Sequence, residues 1–171
     1  MLNGLLLLVL AISVVTDLRS RKIYNKVIFP SLLLAFLLHG IFDGWSGLLS
    51  SFLGFLTGLG ILLIPYLMGG MGAGDVKLLA LVGAIKGASF VFMASIYMAL
   101  IGGLIGVIIL LFRKGFFHRI KSIIFSISSI RYGIKVPLGL DKEALQTTYP
   151  YGVAIAGGAV MAFMLNGGLL L

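Results

Sequence analysis

Two carboxylates in this chain sit where an ionised group is hard to keep. The acidic residues are only five: Asp17, Asp43, Asp75, Asp141 and Glu143. Asp17 closes the hydrophobic run Leu2–Thr16, which as a helix rises only about 22 Å. Asp75 opens the run Val76–Ile85, within Gly72-Ala73-Gly74-Asp75-Val76-Lys77. A charge at the centre of a membrane helix costs about 3 kcal/mol or more, so an ionisable group beside a span is a functional candidate. Two close carboxylates cannot both ionise cheaply and share a proton near neutral pH. The ionised one draws a proton from water, and the protonated one polarises a carbonyl and stabilises its oxyanion. Each aspartate also has a structural explanation. Asp75 could cap a helix, and Asp17 could simply end one. Their arrival at one depth is better explained by a shared site. Helix dipoles suggest roles within it: Asp75 as the ionised base at a helix N-terminus, Asp17 as the proton carrier at a helix C-terminus.

The remaining titratable groups offer less. Asp43-Gly44 reads as a turn, and Asp141 and Glu143 fall in a polar loop where water solvates them. The chain has no cysteine and two histidines, His39 and His118, far apart. No disulfide, thiolate nucleophile or metal-ligand set follows from that composition, and no cofactor is expected. His39 lies in an apolar run and reads as a buried or interfacial residue.

The elements that must position the two aspartates are membrane helices. Of 171 residues, 60% are hydrophobic and 11% charged, against about half and a quarter in soluble domains. About 20 helical residues cross a bilayer core. The expected spans are Leu2–Thr16, Val27–Phe42, Leu48–Met68, Val76–Ile85, Ala88–Phe112 and Tyr151–Leu170. The fold class is therefore all-α and polytopic, with about six transmembrane helices in one domain, residues 1–171. From Leu78 to Phe112 only Lys86 interrupts the apolar run. That stretch is too long for one span, so a reversal near Lys86-Gly87 and a short fourth helix are expected.

The net charge of +8 is a topology signal and does not point to nucleic acid. Arg19, Arg21, Lys22 and Lys26 follow the first span, Lys77 opens the fourth, and seven more basic residues lie in the loop 113–150. With both termini outside, 12 of the 13 basic residues face the cytoplasm and only Lys86 does not, as basic loops prefer. Within that loop, Phe116, Phe117, Ile120, Ile123, Ile124, Ile127 and Ile130 share one helical face and Lys121 and several serines another. This predicts a cytoplasmic interfacial amphipathic helix lying on anionic membrane lipid. The pairs Gly54/Gly58, Gly83/Gly87 and Gly102/Gly106 have the spacing that lets helix backbones approach, within the chain or between copies in a homo-oligomer.

Three segments carry a resemblance. GAGDVKLLALVGA resembles the GxGD motif of the type IV prepilin and preflagellin peptidases. VVTDLRSRKIYNKV resembles the family's first-aspartate segment, with Tyr24 where the family has Pro before Asn25. Tyr149-Pro150-Tyr151-Gly152-Val153 resembles its stretch ahead of the last helix, with Val153 in place of a second Pro. The resemblance implies a membrane aspartic endopeptidase that removes the short, positively charged leader of prepilin-like proteins at the cytoplasmic face. It gives Asp17 and Asp75 the catalytic role, and Gly72, Gly74, Lys77, Asn25, Pro150 and Gly152 supporting places. The glycines beside Asp75 would either let backbone pass close to an extended substrate or simply make a flexible turn between spans. The chain resembles the short form without the cysteine-bearing segment, so N-methyltransferase activity is not expected. The rival readings are a small ion- or proton-coupled transporter and a non-catalytic pilus-assembly component of the membrane.

Overall fold

The structure, a computed structural model, describes residues 2–112 and 151–165. The amphipathic segment expected between Gly115 and Arg131, the residues His118, Asp141, Glu143 and Pro150, and the end of the last expected span lie outside the described residues. The described elements are all helices: α1 (Leu2–Ser20), α2 (Asn25–Phe42), α3 (Gly44–Leu67), α4 (Ala73–Lys86), α5 (Ala88–Phe112) and α6 (Tyr151–Leu165). Four of them, α1, α2, α3 and α5 over Ala88–Ile109, are long and apolar enough to cross a membrane, and α6 is a shorter apolar helix. The chain is a polytopic all-α membrane protein. Its residues cluster into two compact units, Met1–Gly102 with Thr148–Leu171, and Gly103–Thr147. The first unit holds every feature considered below. Of the second, only the end of α5 is described.

The short fourth helix is present, and it is the innermost element of the first unit. From Asp75 to Ile85 every residue except Lys77 is buried. A helix that is apolar all round must be covered all round, and α1, α2, α3 and α6 pack on α4. Of these, α1, α2 and α3 bury only a stripe each. On α1 the stripe is Leu6, Val9, Leu10, Ser13 and Asp17, while Leu7, Leu8, Val15 and Leu18 stay exposed. Exposed leucines of this kind suit a lipid surrounding and need no partner in the chain.

Glycine sets how closely α3 approaches α4. A Cβ at Gly54 or at Gly83 would run into the other's carbonyl oxygen, and one at Gly58 would run into the Leu79 carbonyl. Backbone therefore packs on backbone, and Ser51 Oγ, on the same stripe of α3, donates to the Ala84 carbonyl at 2.6 Å. The Gly54/Gly58 pair works within the chain. Gly87 has a different use: it takes φ 85° and turns the chain from α4 into α5.

The helix boundaries differ from expectation for local reasons. α1 continues past Asp17 to Ser20, and stops where Arg21 adopts φ 52° with its N–H on the Asp17 carbonyl at 2.9 Å. α3 ends in a Schellman motif: Gly69, at φ 76°, donates to the Tyr66 carbonyl, and Gly70 donates to the Pro65 carbonyl, as this cap requires. α4 begins at Ala73, three residues earlier than the hydrophobic run alone suggests.

Contacts at the helix ends fix an up-and-down arrangement. The turn before α2 meets the start of α4, because Gly74 lies against Ile23. At the far end Lys86 Nζ donates to Asn3 Oδ1 at 3.1 Å and sits 4.8 Å above the Phe163 ring. The C-terminal end of α1 and the N-terminal ends of α2, α4 and α6 thus share one end of the unit.

Candidate active site

Asp17 is carried into the interior by the periodicity of α1. It lies on the stripe that begins at Leu6, and only 5% of its surface is exposed. Its Oδ2 accepts the backbone N–H of Gly152 at 3.0 Å. Gly152 is the second residue of α6, so this N–H is one of those a helix start leaves without an internal partner. A side chain is excluded there: a Cβ on Gly152 would come within 2.9 Å of Asp17 Oδ2 and 3.1 Å of its Cγ.

Asp75 is the third residue of α4 and is 9% exposed. Its Oδ2 accepts the Gly72 N–H at 3.2 Å, while its own N–H donates to the Gly72 carbonyl at 3.2 Å. Gly72 is the residue that caps the helix, and Asp75 reaches back to it. The Asp75 carboxylate therefore also serves the start of α4, from inside the first turn. Asp17 and Asp75 are both buried at this end of the unit, each on a backbone N–H. Two helix termini and one helix end bring together carboxylates that are remote in sequence.

The dipole argument that gave the two aspartates different roles loses its premise. Asp17 does lie near the end of α1, but the N-terminus of α6 faces it. Each carboxylate thus accepts a backbone N–H at a helix start, and the geometry supplies no asymmetry of that kind.

The supporting residues divide into two sets. Asn25 and Lys77 come together, with Lys77 Nζ donating to Asn25 Oδ1 at 3.1 Å and standing 5.5 Å from the Phe29 ring centroid. This bond ties the start of α2 to the first turn of α4. Gly72 and Gly74 flank Asp75, but the close neighbour of Gly74 is this chain's own Ile23: a Cβ there would lie 3.0 Å from the Ile23 Cβ. The packing of the α1–α2 turn already gives Gly74 a reason to be glycine. Gly72 has room beside it, the nearest atom to an added Cβ being Asp75 Oδ2 at 3.4 Å. Pro150 lies outside the described residues.

Two residues of the site escaped the sequence reading. Ile23 lies within the first-aspartate segment, but nothing there marked it as the neighbour of Gly74. Ser13 did carry a signal: it is the single hydroxyl on the buried stripe of α1, one turn before Asp17. Among the described residues no group of three or more His, Cys, Asp or Glu side chains gathers. The polar groups at this end include two buried carboxylates, the N–H groups that hold them, and the Lys77–Asn25 bond.

A bundle of apolar helices around a short buried helix, with two buried carboxylates at one end of it, defines a polytopic membrane protein. The chain matches the sequence model of the type IV leader peptidase family over residues 4–111. That stretch contains Asp17, Asn25 and the whole Gly72–Lys77 segment, and the chain belongs to this family. Membership supports a leader-peptidase function over transport. No curated protein and no solved structure matches the chain.

Proposed function

We propose that the protein is a membrane aspartic endopeptidase that removes the leader peptide of a prepilin-like protein, with Asp17 and Asp75 as its catalytic pair. The observation that carries this reading is the pairing itself. Two aspartates remote in sequence are both buried at one end of the unit, each fixed by a backbone N–H. Holding charged groups there is costly unless they do chemistry.

In the reaction, a water lies between the pair and the scissile carbonyl carbon. The ionised carboxylate takes one proton from the water as its oxygen adds to that carbon. The protonated carboxylate gives its proton to the carbonyl oxygen. The tetrahedral intermediate collapses as the carboxyl that took the water's proton gives it to the leaving nitrogen, the other carboxylate takes back a hydroxyl proton, and the C–N bond breaks. No metal or cofactor takes part. Gly152 and Gly72 orient the carboxylates, and the Lys77–Asn25 bond holds the turn that flanks them.

The membrane placement belongs to the same reading. Arg19, Arg21, Lys22, Lys26 and Lys77 lie at or next to the aspartate end, and Lys86 at the other. Basic residues favour the cytoplasmic side, so the site faces the cytoplasm, both termini lie outside, and residues 1–171 form one membrane-embedded domain. The substrate presents its leader at that face while its own apolar segment remains in the bilayer.

The test is to incubate the purified protein in detergent with a prepilin-like protein and follow the substrate by mass spectrometry. Removal of an N-terminal leader, undiminished by chelators, is expected. An intact substrate under conditions where the protein stays folded contradicts the proposal.

A further inference from the structure

Five polar or charged side chains are buried among the described residues: Ser13, Asp17, Ser51, Asp75 and Ser95. Two are the aspartates. Ser51 Oγ donates to the Ala84 carbonyl and Ser95 Oγ to the Phe92 carbonyl, both at 2.6 Å. Less buried hydroxyls do the same: Thr16 bonds the Ser13 carbonyl, Ser20 that of Thr16, Ser31 that of Val27 and Thr57 that of Leu53. Ser13 is the exception. It is 1% exposed, and its Oγ has no hydrogen-bond partner among the described residues. A buried hydroxyl left in that state costs about 1–3 kcal/mol. Alanine would fill the position equally well and is the better helix former. Packing alone therefore gives no reason for serine here.

Its position does. Ser13 precedes Asp17 by one helical turn on the same buried stripe. Residues so spaced have Cβ atoms about 5–6 Å apart, and helical side chains lean towards the helix N-terminus. The Asp17 carboxylate thus leans over the turn that holds Ser13. An ionised carboxylate accepts up to about four hydrogen bonds, and the Gly152 N–H supplies one of them.

We propose that Ser13 is a positioning residue for leader cleavage: its hydroxyl fixes the orientation of the Asp17 carboxylate, directly after a side-chain rotation or through one bridging water. This rests on the two-aspartate reading above. Ser13 has no hydrogen bond to the other carboxylate; acting through Asp17, it would affect the chemical step and not substrate affinity.

The experiment measures kcat and KM for leader cleavage, and the thermal midpoint, for the full chain carrying Ser13→Ala, Ser13→Thr or Asp17→Asn. Ser13→Ala removes a single oxygen. It is expected to lower kcat about tenfold with KM unchanged and with no fall in midpoint. Ser13→Thr keeps the hydroxyl and is expected to recover most of kcat. Wild-type kcat in Ser13→Ala, with Asp17→Asn inactive, overturns the role of Ser13 and leaves the aspartate pair standing. A midpoint that falls together with kcat assigns Ser13 a structural part and also overturns it. Wild-type cleavage by Asp17→Asn removes the pair itself, and the role of Ser13 with it.

Discussion

The two ends of α4 are built from similar groups and held in opposite ways. At its C-terminal end the last carbonyls are closed off by side chains. Ser51 bonds the Ala84 carbonyl, and His39 Nε2 lies 3.1 Å from the Ile85 carbonyl. His39 Nδ1 pairs with Asp43 Oδ2 at 3.0 Å, and Lys86 bonds Asn3 over the Phe90 and Phe163 rings. Every side chain in that set has a side-chain or carbonyl partner, and its carboxylate, Asp43, is exposed. At the N-terminal end the direction is reversed: backbone N–H groups hold side-chain carboxylates, and both carboxylates are buried. One end completes a helix that stops short. The other keeps two buried acids, each held by a backbone N–H. A charged residue at a membrane helix end is therefore informative only with its partner and burial known.

The comparison can be broken first at the packing that holds α4 between its ends. Gly83→Ala drives a methyl into the Gly54 carbonyl, and the helices must part. A loss of about 1–3 kcal/mol or more is expected, seen as a lower thermal midpoint and lower cleavage together. Gly60→Ala, on the same α3 but with nothing within 4 Å of the added carbon, should leave both near wild type.

A smaller and more selective effect is expected from Gly152→Ala. The added Cβ pushes on the Asp17 carboxylate without touching the packing of α3 on α4. A displacement of a few tenths of an ångström to an ångström at a catalytic group can cost about 10–100-fold in rate. Cleavage should therefore fall further than stability does. Equal falls in both would mean that Gly152 only packs.

The least effect is expected at the Lys77–Asn25 bond. Lys77→Met and Asn25→Ala should each slow cleavage by about two- to fivefold, with the double variant no slower than either alone, because one interaction is being removed twice. Additive losses would show that the two residues act separately.

Much of this was legible in the sequence. Continuous apolar runs marked the helices, and the lone interruption at Lys86-Gly87 marked the reversal, because a 35-residue helix has no bilayer to match it. The GxGD segment and the first-aspartate segment marked Asp17 and Asp75. What stayed hidden was the set of partners. That α6 aims its first N–H groups at Asp17 depends on how the last helix docks, and hydrophobicity does not encode docking. The dipole assignment failed there, because it considered only the helix that carries each aspartate. Gly74 read as room for a substrate, whereas Ile23, which lies in the first-aspartate segment with nothing to mark it as a packing partner, already lies against it. His39 read as a buried or interfacial residue, but its bond to the Ile85 carbonyl follows from α4 ending early beside α2, a tertiary fact.

The proposed function requires that the carboxylates at one end of α4 do chemistry and that the one at the other end does not. Cleavage of a prepilin-like substrate by purified Asp17→Asn, Asp75→Asn and Asp43→Asn proteins, each checked for folding and membrane insertion, tests it directly. Asp17→Asn and Asp75→Asn should each lose on the order of a thousandfold or more in rate, while Asp43→Asn stays within about twofold of wild type. Wild-type cleavage by either of the first two, or an inactive but folded Asp43→Asn, would contradict the account.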